Sequence, residues 1–81
     1  MFTNKTADGR NNICGINIAR LRKELNFSQR ELADLLQLSG LDIDKNAVQR
    51  IESGQRFLTD IELKHFCHVL NTSFDNLYNI N

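Results

Sequence analysis

The sequence predicts an all-α fold of five short helices, and three features carry that expectation. Apolar residues recur at steps of three and four along most of the chain, the spacing that gathers them on one face of a helix. Two capping boxes, Ser28 to Glu31 and Thr59 to Glu62, mark helix starts in mid-chain. Proline is absent from all 81 residues, so nothing in the interior must break a helix. No strand pattern emerges.

Residues 1–12 (MFTNKTADGRNN) are polar, with Gly9 and a run of Asn. They are expected to be a flexible arm ahead of a single domain over 13–81. Cys14, Ile18, Leu21 and Leu25 then fall on one face of a first helix, which Asn26 and Phe27 close. The box Ser28-Gln29-Arg30-Glu31 opens a second helix, expected to run to about Leu38 through Leu32, Ala33, Leu35 and Leu36. Ser39 to Asp44 reads as a turn, with Gly40 free to take an unusual backbone angle and Asp44 suited to cap the next helix. The third helix is expected over about Lys45–Ser53, with Gly54 at its C-terminal end. A fourth helix starts from the Thr59 box and carries Leu63, Phe66, Cys67, Val69 and Leu70. Ser73 opens a short fifth with Phe74, Leu77 and Tyr78.

Size and charge exclude several function classes. A chain this short leaves roughly 40% of its unfolded surface exposed after folding, so little volume remains for a walled active-site cavity. No catalytic residue is expected. Ten basic and ten acidic residues give zero formal charge, which excludes a protein that coats nucleic acid by bulk charge. The balance is uneven: residues 1–19 and 20–56 each carry net +1 and residues 57–81 net −2. Cys14 and Cys67 form no CxxC pair and are expected to be buried free thiols. His65, Cys67 and His68 could suggest a metal site, but no second cluster completes a tetrahedron, so no metal or other cofactor is expected. The absence of an apolar run in the first twelve residues, or of a membrane-length one anywhere, points to a reduced, cytoplasmic setting away from membranes.

The third helix is the informative element. Ala47, Val48 and Ile51 form an aliphatic inner face, whereas Lys45, Asn46, Gln49, Arg50 and Ser53 share the other side. Asn and Gln pair bidentately with adenine, and Lys and Arg with guanine, when a helix lies in the major groove. A plain solvated face would explain polar residues equally. It would not explain why the stripe lacks any carboxylate in a chain with as many acids as bases; Glu52, the helix's one acid, lies off it.

From Ile16 to Tyr78 the chain resembles the Cro/repressor family of lambda-repressor-like helix-turn-helix domains. The match is carried by Ile18-x-x-Leu21-Arg22 and Phe27-Ser28-Gln29-x-Glu31-Leu32-Ala33. It continues in Val48-x-x-Ile51-Glu52-Ser53-Gly54-x-Arg56, Leu63-x-x-Phe66-Cys67-x-x-Leu70 and Phe74-x-x-Leu77. The resemblance implies a compact five-helix DNA-binding domain that regulates transcription, with double-stranded DNA and a second copy of itself as partners and no small-molecule ligand. It implies that Gln29, beside Ser28 at the start of the second helix, binds a backbone phosphate and braces the recognition helix. It places Lys45, Asn46 and Arg50 at base-reading positions and Ser53 and Arg56 on phosphates, while Gln49 stands as a base reader on the polar face alone. It pairs Arg22 with Glu52 in a structural ion pair, and puts Leu21, Leu25, Leu32, Ala33, Leu36, Val48, Ile51, Phe66 and Leu70 in the core. One departure stands out: the stretch between Ala33 and Ile51 is about five residues longer than usual, in Leu38–Asp44. A protein-interaction module of the same fold, such as an antitoxin or a developmental switch partner, is the alternative.

Overall fold

Helix starts follow the capping signals closely. The computed structural model describes residues 5–79, and these form α1 (Gly15–Glu24), α2 (Gln29–Ser39), α3 (Lys45–Glu52), α4 (Asp60–Val69) and α5 (Phe74–Tyr78). Ser28 and Thr59 make reciprocal boxes, each side-chain oxygen accepting from the N–H three residues on while Glu31 or Glu62 reaches back to the cap's N–H. Asp44 accepts from the Ala47 N–H at 2.8 Å and Ser73 from the Asn76 N–H at 3.2 Å. Each cap satisfies a donor that the first turn leaves without a partner, worth about 1 kcal/mol.

The core lies where these helices cross. Phe66, Ile18, Leu32, Leu36, Ile51, Leu77 and Val48 are completely enclosed, one or two from every helix. Each such side chain contributes roughly 1.5–3 kcal/mol by leaving water. Through them α2 packs on α3 and α4, α1 packs on α3 and α5, and α4 packs on α5. Asn17, buried in α1, donates to the Leu77 and Asn79 carbonyls at 2.9 and 2.8 Å and ties down the C-terminal end of α5.

The longer connection between α2 and α3 is ordered by its own contacts. Gly40 ends α2 with φ 108°, and the Leu41 N–H returns to the Leu36 carbonyl at 2.9 Å. Ile43 is buried in the core, and the Gln37 amide holds its carbonyl at 2.8 Å. The chain therefore reaches Asp44 at a fixed point, and α3 starts at Lys45 as the capping signal implies.

Three expectations need correction. Leu25 is exposed rather than in the core, because α1 ends at Glu24 and the chain turns away through Asn26, whose φ is 62°. Cys14 is buried but Cys67 only half-buried. Arg10, Asn11 and Asn12 do not form a free arm: they are hydrogen-bonded to the residues at and beyond the end of α3, and Asn12 is buried. The reason is that the Glu52, Gly54, Gln55 and Arg56 carbonyls lie at and past the end of α3, where the helical ladder supplies no donor, and these three residues supply them. Residues 1–4 of the expected arm lie outside the described residues. Gly15 shows how close this packing is, since a Cβ there would be driven into the Ile51 carbonyl oxygen.

Candidate nucleic-acid interface

The geometry of α3 separates its two faces cleanly. Ala47, Val48 and Ile51 are buried, whereas Lys45, Asn46, Gln49, Arg50 and Ser53 are all exposed. The five exposed residues thus share one solvent-facing surface two turns long. The Ser53 hydroxyl donates back to the Arg50 carbonyl at 3.2 Å, which closes the end of that surface.

Glu52 is kept off this surface by its partners. Arg22 Nε meets Glu52 Oε2 at 2.7 Å and Arg22 Nη2 meets Oε1 at 3.1 Å, a two-pronged pair. The Gln29 amide donates to the same Oε1 at 3.0 Å, and Arg22 Nη1 donates to the Phe27 carbonyl at 2.7 Å. The side chains of Arg22 and Glu52 are only 11% and 8% exposed. A nearly buried carboxylate is tolerable only when charge and hydrogen bonds surround it, and both are present here. One network therefore fixes α1, the start of α2 and the end of α3, and it also neutralises the acid nearest the exposed stripe.

At the start of α2, Ser28 is exposed and its side chain serves as the cap, while Gln29 is half-buried against Glu52. Arg30, which the resemblance did not single out, is exposed in the same turn. Arg56 is differently placed from the rest. Its Nη2 pairs with Glu62 Oε2 at 2.8 Å and its Nη1 donates to the Phe57 carbonyl at 3.3 Å. Burial by itself would raise the Glu62 carboxyl, but Arg56 and the Thr59 cap outweigh it and hold the group below the usual Glu value. Arg56 thus shares its charge with α4 instead of standing free.

The polar residues before α1 were missed by sequence reasoning. Asn12 accepts from the Gly15 N–H at 2.8 Å, a cap spacing that was present in Asn12-x-x-Gly15. Its contacts with α3 leave no such local trace. Among the described residues no group of three His, Cys, Asp or Glu side chains could hold a metal, and His65 Nδ1 lies 2.9 Å from the Ser39 hydroxyl.

A family model described as Helix-turn-helix matches residues 18–77, about three quarters of the chain. The chain belongs to the lambda-repressor-like helix-turn-helix family. No curated protein matches it. Membership makes it a DNA-binding helix-turn-helix regulator, of a family whose domains bind DNA and are not typically enzymes. In this helix-turn-helix, α2 and α3 are the paired helices, and the exposed stripe lies on the second of them. No helix among the described residues is long and apolar enough to cross a membrane.

Proposed function

We propose that this protein is a sequence-specific regulator of transcription that lays α3 in the major groove and represses by occupying its operator. The observation that carries the proposal is the surface of α3: five exposed residues able to donate hydrogen bonds, with the helix's one acid withdrawn into the Arg22 and Gln29 network. Lys45, Asn46, Gln49 and Arg50 read base edges. Ser28 and Gln29 hold a phosphate at the start of α2, where unpaired N–H groups and the helix dipole favour an anion. The Gln29 amide has two N–H bonds, so one serves Glu52 while the other serves the phosphate. Ser53 flanks the stripe on a second phosphate, and Arg56 adds a contact weakened by its bond to Glu62.

Two copies act together on adjacent half-sites, which helix-turn-helix proteins read about one helical turn apart. Selection from a random pool of duplex DNA tests the reading: the purified protein enriches a defined, two-fold-related sequence. Recovery of unrelated sequences would point instead to a protein-binding module.

A further inference from the structure

We propose that Thr6–Asn12 is a clamp that sets the position of α3, with Arg10 as its positioning residue. The inference rests on α3 being the DNA-reading helix and adds what holds it in place. A helix ends with four carbonyls that have no partner inside it, and its C-terminal end favours a cation. α3 is only eight residues long, too short to be stable by itself in water. Its N-terminal end is fixed by Asp44, and the opposite end is where the clamp acts.

The contacts are concentrated there. Arg10 Nη2 donates to the Glu52 carbonyl at 2.8 Å and to the Ile51 carbonyl at 3.4 Å. The Asn12 amide bridges the carbonyls of Ile51 at 2.9 Å and Arg56 at 2.8 Å. Asn11 donates its backbone N–H to the Gly54 carbonyl at 2.7 Å and its side-chain amide to the Gln55 carbonyl at 2.9 Å. Five carbonyls at and after the end of α3 are thus held by three successive residues. The segment is itself closed into a turn, since the Thr6 N–H meets the Arg10 carbonyl at 2.8 Å and the Arg10 N–H meets the Thr6 hydroxyl at 2.9 Å. The Arg10 side chain lies against Gly54 so closely that a Cβ there would meet Arg10 Cγ at 2.8 Å.

Arg10 spends its charge on backbone carbonyls, so its effect on DNA passes through α3 and not through a phosphate. Base contacts require side chains held to within about 0.5 Å of the productive geometry, which a loosened last turn cannot supply.

Arg10→Ala and the milder Arg10→Lys, made in the full chain, test the clamp in two ways. In hydrogen exchange, the amides of residues 49–56 should exchange about tenfold faster in Arg10→Ala, with those of α2 and α4 unchanged. Arg10→Lys, which keeps the charge, should fall between, and it stands in if Arg10→Ala does not fold. On DNA, affinity for the duplex selected by the wild type should drop about tenfold, roughly the loss of one well-placed base contact. Affinity for random duplex and the slope of log affinity against log salt should stay the same. Exchange that is unchanged, or that quickens evenly through every helix, overturns the clamp. A salt slope reduced by about one overturns the positioning role, because Arg10 would then be touching phosphate. If the wild type selects no duplex, the DNA reading fails while the exchange data still decide the clamp.

Discussion

Arg22 and Glu52 form a pair in which neither side chain has ready access to water, so removing one partner strands the other. Arg22→Ala should lower stability by about 3 kcal/mol, since an unpaired carboxylate stays behind in a mostly buried position. Stability should fall by more than sequence preference does, because Arg22 faces inward and touches no base. Chemical denaturation alongside a binding assay checks both halves, and an unchanged midpoint would remove the structural role assigned to the pair. The pairing of these two residues was visible in the sequence only through the family resemblance, as thirty positions separate them. Arg56 shows the opposite outcome. Its position in the motif points to a phosphate, and its bond to Glu62 in the first turn of α4 is seen only once the connection from α3 has folded.

At the scale of elements, the helices were legible because their starts are written in short-range chemistry. Ser28 with Glu31, Thr59 with Glu62, and the lone caps Asp44 and Ser73 all act within three residues of themselves. Leu25 was misplaced for a related reason. Helical spacing continues past Glu24, but periodicity does not record that the backbone turns left-handed at Asn26. Asp44 carries a specific consequence, since it caps α3 while placing a negative charge beside the proposed DNA face. Asp44→Asn should keep stability, because Asn caps equally well, whereas Asp44→Ala should lose about 1 kcal/mol. Asn should also tighten binding to duplex of any sequence by removing repulsion of phosphate. Thermal melts and a binding titration measure the two effects, and equal stability of the Asn and Ala variants would show that the cap does not hold α3.

Across the whole molecule, the packing of the N-terminal segment on α3 was illegible. Its bonds run to backbone carbonyls about forty residues away, and a carbonyl has no sequence signature. A polar run rich in Asn looks the same whether it is solvated or spent on capping a helix. The opposite end of the chain bears on assembly. Leu77 is enclosed, while Phe74 and Tyr78 are about half exposed and meet edge to face with centroids 5.8 Å apart. Ile80, the next apolar residue along the chain, lies outside the described residues. A two-fold contact through Phe74 and Tyr78 would set the spacing of the two α3 helices. Replacing both with Ser is preferable to truncation, because the Asn79 carbonyl is a partner of Asn17 and its removal would loosen α5. The double Ser variant should sediment as a folded monomer that binds a single half-site weakly; if it and the wild type have the same mass in solution, that contact is not the dimer interface.

The central claim is that the exposed stripe of α3 reads DNA sequence. The most direct measurement compares the wild type with the Gln49→Ala, Arg50→Ala double variant on the selected duplex and on random duplex. Both side chains are exposed and outside the Glu52 network, so the variant should keep its fold and its melting temperature. Each well-formed bidentate base contact discriminates by roughly 1–3 kcal/mol. The variant should therefore lose most of its preference for the selected duplex, keeping only what Lys45 and Asn46 supply over phosphate contacts. If it still prefers the selected duplex as strongly as the wild type does, α3 is not the reading surface.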